Sequence, residues 1–249
     1  MNPVGDPAIR LDGVSKSFGA LKVLDNVTLD VAGGTAFCLL GRSGTGKSVT
    51  LKHIIGLMKP DRGHVIVHGK KIDELKKPEL TEVRRSMGFL FQNSALFDSI
   101  SVGENVAFPL RRHTDWDAAK IRKAAQDKLA DVGLDKDFDK MPGDLSGGMK
   151  KRAGLARAMA LDPDILLVDE PTAGLDPMTA HEIDDLLLDL KKKGTTLVVV
   201  THNIPSARHI GDELAMLHEG TLIARGTAAE LDGSQNELVR TFMRSEGAG

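Results

Sequence analysis

Hydrophobic and polar residues alternate strictly in two early stretches, AIRLDGV (residues 8–14) and VTLDV (27–31). A period of two puts one face of each segment inward and one outward, which predicts half-buried strands. Between them SKSFGALKVL carries Phe18 beside Gly19 and is expected to make a hairpin. Short alternating strands of this kind belong to an antiparallel edge sheet. Four later runs behave differently: TAFCLL (35–40), MGFLFQ (87–92), ILLVDE (165–170) and TTLVVVTH (195–202) are almost continuously apolar. Such runs predict strands buried on both faces, as in a parallel sheet covered by helices. Helical spacing follows them in SVTLKHIIGL, in KPELTEVRR with Pro78 near its start, and in MTAHEIDDLLLDLKKK, closed by Gly194. HVIVHG adds a strand after the turn PDRG, and ELAMLHEG with TLIARGT forms a hairpin-like pair. TAAEL and SQNEL both fit the capping-box pattern, so the C-terminal segment is expected to be helical. Residues 1–7 read as a loose tail, and the KKK run at 191–193 and the charges around Gln126 as solvated faces.

The interval 93–160 changes character. NSALFDSISVGENVAFPLRR and DWDAAKIRKAAQDKLADVGL show helical periodicity with many charges, and the lone Trp116 is expected to pack locally. DLSGGMKKRAGLARAMAL then places Ser146, a good N-cap, at the mouth of an alanine-rich helix. The pattern predicts an α/β fold: an antiparallel edge, an α/β core and a helical insertion. We expect one domain over 8–245, with the core at about 8–92 and 161–226, a helical subdomain at about 93–160 and a C-terminal helical segment at about 227–245.

The chemistry concentrates where apolar strands end. GRSGTGKS follows TAFCLL and opens a helix, the strand–loop–helix context of a P-loop. Gly41, Gly44 and Gly46 let the backbone bring its N–H groups against phosphate oxygens, together with Arg42, Ser43 and Thr45. The helix start at Lys47, Ser48 and Val49 adds positive partial charge. Lys47 is suited to reach β- and γ-phosphates, and the Ser48 hydroxyl to ligate Mg²⁺. Asp169 and Glu170 end a strand of aliphatics, so Asp169 can support the same metal and Glu170 can polarise an attacking water. Gly41, Gln92, Asp169 and His202 all fall just past predicted core strands, where ligands bind in such sheets.

Bulk properties fit this picture and narrow it. The 249 residues are 41% hydrophobic and 27% charged, with a net charge of −2, so no nucleic-acid partner is expected. The one cysteine, Cys38, sits inside an apolar run and reads as a small core residue of a reduced compartment. No apolar run approaches membrane-spanning length and no signal peptide is visible, so the chain is not expected to span a membrane.

One element is left over by a generic P-loop: Leu145-Ser146-Gly147-Gly148-Met149. Together with the glycine loop, ILLVDE, the following PTAGLDP and His202 after a strand, it makes the chain resemble the ATP-binding subunit of an ABC transporter. The resemblance runs from about residue 8 to at least 230. It implies a P-loop NTPase, RecA-like core. It implies that Lys47 and Ser48 hold phosphate and Mg²⁺, that Asp169 supports the metal, and that Glu170 is the general base. Gln92 falls at the Q-loop, where it would sense metal and water, and His202 would contact the γ-phosphate. Ser146, Gly147 and Gly148 would bind the γ-phosphate of ATP held by a second copy, with Asp176 at the dimer seam. Two chains, head to tail, would thus complete two ATP sites. Two departures stand out. Met149 replaces the usual Gln, and with no tyrosine in the chain the adenine-stacking place falls to Phe18.

A finer resemblance lies in FLFQNSALFDSISVGENVAFPLR and LSGGMKKR, which are similar to the ATPases of lipid-trafficking ABC systems, the Mla and Mce-associated group. It implies phospholipid or sterol transport in a bacterial envelope. It also implies peripheral attachment to the cytoplasmic face of the inner membrane through transmembrane permease subunits, with an Mce-domain protein and a small regulatory subunit as further partners. Residues 93–100 would line the groove receiving a permease helix. A transporter of amino acids, ions or lipoproteins would carry much the same ATPase. A soluble ABC protein acting on ribosomes or DNA would ordinarily have two cassettes or a long coiled-coil insert. A P-loop kinase or GTPase leaves LSGGM unexplained.

Overall fold

The computed structural model describes residues 6–245. The first five residues of the expected N-terminal tail lie outside them. Two sheets share the molecule. The first pairs β1 (Ile9–Phe18), β2 (Leu21–Val31), β4 (Arg62–Val67) and β5 (Lys70–Lys71) in the order β2-β1-β4-β5, all antiparallel. The two alternating segments of the sequence are parts of longer strands that meet at Gly19-Ala20. Gly63 enters β4 at φ 79°, and a Cβ there would sit 2.3 Å from the carbonyl oxygens of Asp12 and Gly13. That close crossing of backbones requires glycine.

The second sheet has six strands in the order β10-β9-β3-β8-β7-β6. β3 (Ala36–Leu40), β6 (Met87–Leu90), β7 (Ile165–Asp169), β8 (Thr196–Thr201) and β9 (Glu213–His218) run parallel, and β10 (Thr221–Gly226) closes one edge antiparallel to β9. The continuous apolar runs serve two cores at once. Cys38, Leu40, Leu166, Val168, Leu197 and Val199 face one, while Phe37, Leu39, Ile165, Leu167, Val198 and Val200 face the other. Alternate residues point to opposite faces, so a strand buried on both must be apolar throughout.

The first core is covered by α3 (Val102–His113), α4 (Ala118–Ala130), α5 (Gly147–Ala158), α6 (Pro177–Lys192) and α7 (Ile204–Ile210), with α8 (Ala228–Asp232) and α9 (Glu237–Arg244) completing it. α1 (Lys47–Ile54) and α2 (Lys77–Arg85) lie on the other side, against the four-stranded sheet. Seven helices are capped by a side chain on the N-cap residue: Ser101, Asp117, Ser146, Asp176, Asn203, Thr227 and Asn236 each accept a backbone N–H of the first turn. No helix among the described residues is long and apolar enough to cross a membrane.

Three local expectations need correction. Residues 93–101 are not helical, and the helix starts only at Val102. Side chains take the place of helix bonds there: Asn105 binds Phe97, Ile100 and Ser101, and Arg157 binds the carbonyls of Ser94 and Ala95. In SQNEL the cap of α9 is Asn236, which accepts the Leu238 N–H, rather than Ser234. Lys191 of the KKK run is not freely solvated, because it donates to Asp212 at 3.0 Å and to the Ile210 carbonyl. Trp116 does pack locally, with the Lys120 ammonium 4.1 Å from its ring centre.

Candidate active site

β3 ends at Leu40 and the chain turns through Gly41 (φ 155°), Gly44 (φ 81°) and Gly46 (φ 103°) into α1. Gly46 is the helix N-cap in the left-handed region, and a Cβ there would lie 2.8 Å from the Val23 carbonyl. Only glycine meets both demands. Arg42, Ser43 and Gly44 are exposed, whereas Gly46 and Lys47 are buried. Thr45 ties the loop by donating its hydroxyl to the Arg42 carbonyl at 2.9 Å. The result is a tight glycine-rich turn running into a helix N-terminus, an arrangement suited to an anion.

Lys47 is only 5% exposed. Its ammonium donates to the carbonyls of Gly41 (2.8 Å) and Arg42 (3.1 Å) and stands 3.3 Å from Glu170 Oε1. Ser48 follows Lys47 and donates to Asp169 Oδ1 at 2.9 Å. Burial pushes the Asp169 carboxyl above its ordinary range, against the Ser48 hydrogen bond, and the Glu170 charge pushes the same way.

Glu170 is the first residue after β7 and has φ 46°, a conformation uncommon for a non-glycine residue. It is held there from several sides. Its N–H donates to the Val200 carbonyl, and its carboxylate accepts the His202 N–H at 3.3 Å and contacts His202 Nδ1 at 3.0 Å. His202 stands immediately past β8, and Gln92, with an exposed side chain, stands two residues past β6. Lys47, Ser48, Asp169, Glu170 and His202 therefore form one connected cluster at the C-terminal ends of β3, β7 and β8.

A second group lies apart from it. Ser146 caps α5 and Asp176 caps α6, accepting the Thr179 N–H at 3.0 Å and its hydroxyl at 2.6 Å. The two caps are packed together: a Cβ on Gly148 would meet Thr179 Cγ2 at 2.4 Å, and one on Gly147 would meet Leu175 at 3.6 Å. Met149, partly buried, packs against the core rather than presenting a polar side chain. Neither Ser146 nor Asp176 bonds to the cluster around Lys47. Phe18 belongs to neither group. It ends β1, is 47% exposed, and has the Lys16 ammonium 5.8 Å from its ring centre.

One buried residue of the site belongs to no motif. Lys151, in α5, is 5% exposed and donates to the main-chain carbonyls of both Gln92 and Glu170, the latter at 2.9 Å. Burial pulls its pKa down, against the pull of Asp169 and Glu170. In the sequence it is one of two adjacent lysines, and its helical position three residues past Gly148 was the available signal.

A phosphate cradle with a buried lysine, facing a carboxylate pair at the ends of parallel strands, defines a P-loop nucleoside triphosphatase. The particular branch follows from comparison with known proteins. The ABC transporter family model matches residues 24–173, and the chain belongs to that family as its ATP-hydrolysing, nucleotide-binding subunit. It is 38% identical over 236 residues to the intermembrane phospholipid transport system ATP-binding protein MlaF of Escherichia coli, covering 94% of this chain and 88% of that one. The Haemophilus influenzae MlaF is 41% identical over 242 residues, covering 97% and 92%. The probable ribonucleotide transport ATP-binding protein mkl of Mycobacterium leprae is 44% identical over 243 residues, covering 97% of this chain and 70% of that one. Among solved structures, a dimeric bacterial ABC transporter cassette superposes with a TM-score of 0.83 at 35% identity, covering 88% of this chain and 98% of that one. The post-hydrolysis dimer of that cassette, bound to ADP and Pi, gives 0.82 at the same identity and coverage.

Proposed function

We propose that this chain energises lipid movement in a bacterial envelope by binding and hydrolysing ATP between two copies of itself. The observation that carries the ATPase half is the linked set Lys47–Glu170–His202 and Ser48–Asp169. The cradle from Gly41 to Val49 takes the phosphates, Lys47 leaves Glu170 to neutralise them, and Phe18 offers its face to the adenine ring. Glu170 accepts the proton of the attacking water, and His202 orients Glu170 and meets the γ-phosphate.

The residues fit Mg²⁺. Adjacent ligands of an octahedron with 2.0–2.1 Å bonds are about 2.9 Å apart, and Ser48 Oγ and Asp169 Oδ1 stand at 2.9 Å. Both are hard oxygens, and burial of the Asp169 carboxylate favours a cation beside it. Ser48 and Asp169 would hold the ion, with Gln92 reporting on it. Bound there, it would offset negative charge on the phosphates.

Ser146, Gly147, Gly148 and Asp176 make the other half of a site. They sit apart from Lys47 in the same chain, so in this reading they complete a partner's nucleotide pocket in a head-to-tail homodimer, as the dimeric cassettes suggest. The helical region 93–160 acts as a subdomain of the single domain 8–245. Its outer face, beside the Q-loop, carries a cleft of about 360 Å³ lined by Phe89, Phe91, Phe97, Phe108 and Arg157. With Phe97 and Phe108 half exposed and their rings 5.1 Å apart, the cleft suits an apolar helix end from a permease at the cytoplasmic face of the inner membrane.

The lipid assignment rests on FLFQNSALFDSISVGENVAFPLR and LSGGMKKR, and on the match to the MlaF proteins over nearly their full length. The name of the M. leprae relative favours ribonucleotides as a second reading. The discriminating experiment is to tag this chain, solubilise its host membranes gently and identify what co-purifies by mass spectrometry. A polytopic permease with an Mce-domain protein, a small regulatory subunit and bound phospholipid or sterol is the expected result. A permease with a ribonucleotide or another small solute would overturn the lipid assignment and leave the ATPase. Ribosomal or DNA-repair proteins without a permease would overturn the transporter role itself.

A further inference from the structure

The α5 helix does more than present its N-terminus. It begins at the Ser146 cap, and one turn later Lys151 points inward to the carbonyls of Gln92 and Glu170. Two turns further Arg157, also largely buried, donates to the carbonyls of Ser94 and Ala95, the latter bonds both at 2.6 Å. Ser94 and Ala95 have φ of 58° and 48°, so their peptide units are turned away from any regular pattern. Without Arg157 those carbonyls would have no helix or sheet partner. Without Lys151 the same holds at Gln92, and the Glu170 carbonyl keeps only the Ala173 N–H at 3.3 Å.

We propose that Lys151 is a positioning residue for ATP hydrolysis, fixing the catalytic carboxylate of Glu170 and the start of the Q-loop to one rigid helix. This deepens the reading of Glu170 as general base and rests on it. The geometry explains why a cation is needed at this depth. Glu170 holds φ 46°, and such a conformation persists only where its surroundings over-determine it. Its N–H is fixed to β8, its carboxylate to His202 and Lys47, and its carbonyl to Lys151. Removing the last leaves the peptide after Glu170 able to rotate, which swings the carboxylate. A charge-assisted donor is the strong form of such a tie. The ammonium also sits within the field of Asp169 and Glu170, where it and Lys47 balance two buried carboxylates before any nucleotide arrives.

The position of Lys151 gives it a second consequence. Arg157 lines the aromatic cleft beside the Q-loop, and Lys151, on the same helix, reaches the cluster around Glu170. A shift of the Q-loop at the cleft is therefore felt by Glu170 through two grips on a single helix rather than through a flexible loop.

The test uses the full chain co-purified with its permease, comparing Lys151→Met, Lys151→Arg and Glu170→Gln with wild type. Methionine matches the length of lysine and lacks donors. K151M is expected to lose kcat about 100-fold, the scale of a misplacement near 1 Å, with KM for ATP and the thermal midpoint little changed. K151R, which keeps donors, is expected to restore most of kcat. A K151M enzyme within about threefold of wild-type kcat overturns the proposal, since that is under 1 kcal/mol of transition-state stabilisation. So does a kcat loss matched by parallel losses of ATP affinity and thermal midpoint, or a K151R variant as impaired as K151M, because either marks a purely structural lysine. If K151M does not fold, the K151R result decides alone, with a kcat loss of about 100-fold at normal stability refuting the role. E170Q separates the two readings: turnover in E170Q would mean that Glu170 is not the base, whatever Lys151 does.

Discussion

Glu170→Gln is the perturbation that probes the site most directly, because Glu170 has two partners with opposite demands. Its carboxylate stands 3.3 Å from the Lys47 ammonium, with both side chains at most 10% exposed. At an effective dielectric constant near 20, two unit charges at that distance attract by about 5 kcal/mol. Desolvation of both groups offsets most of this, leaving a net on the order of 1–2 kcal/mol. ATP must break that pair to recruit Lys47, and the γ-phosphate must then approach the Glu170 charge. Glutamine removes both obstacles while keeping the shape and an oxygen to accept the His202 N–H. The variant should therefore bind ATP about tenfold more tightly, from roughly 1.4 kcal/mol. It should lose turnover by about 10²–10⁴, the usual contribution of a positioned general base. Titration with a fluorescent ATP analogue gives the first number and steady-state phosphate release the second. Dimer content should rise at saturating ATP, read by light scattering. Turnover within threefold of wild type would refute the role of Glu170, and weaker ATP binding would refute the idea that its pair with Lys47 competes with nucleotide.

Three further outcomes follow from the same geometry. Lys47→Ala should weaken ATP binding by about 10- to 100-fold, the loss of a charge-assisted phosphate contact worth roughly 1.5–3 kcal/mol, and equilibrium binding reads it. Gly148→Ala puts a Cβ 2.4 Å from Thr179 Cγ2 and should push α5 off the Asp176 cap; the expected result is loss of ATP-induced dimers and turnover with single-chain nucleotide affinity kept. Asp184 is 4% exposed, accepts the Ser206 hydroxyl at 2.6 Å, and is pushed up to about 6 by burial from 3.8. A carboxyl with a raised folded pKa binds its proton more tightly when folded, so its ionisation destabilises the fold progressively from about pH 4 to about pH 6 and fully above. Asp184→Asn should thus stabilise the chain by about 3 kcal/mol near pH 8 and by nothing near pH 4; an equal midpoint difference between variant and wild type at both pH values would contradict this.

Much of the cluster around Lys47 was readable because its residues are tied to strand ends by short, strict spacings. GRSGTGKS needs glycines at φ values that few other residues reach, and ILLVDE must be apolar to lie between two cores yet polar where it emerges. Lys151 was not readable that way. Its neighbour Lys150 looks the same in sequence, and only the helical phase of α5 sends Lys151 inward to carbonyls 59 and 19 residues away. The loop at 93–101 misled for a related reason. Its apolar spacing is helical, but the Asn105 and Arg157 side chains satisfy its backbone instead.

The sequence by itself determined the parts whose chemistry is local: the phosphate cradle, the metal-suited serine and aspartate, the helix cap at Ser146, and the apolar strands that carry them. Tertiary structure alone decided how those parts meet. It brought Lys47 against Glu170 across 123 residues and Ser48 against Asp169 across 121. It left the Ser146–Asp176 pair without a bond to that cluster, and it threaded one buried lysine between the carbonyls of Gln92 and Glu170. The physical reason is that local pattern fixes backbone conformation and face, whereas long-range contacts depend on strand order and helix phase, which no short stretch encodes.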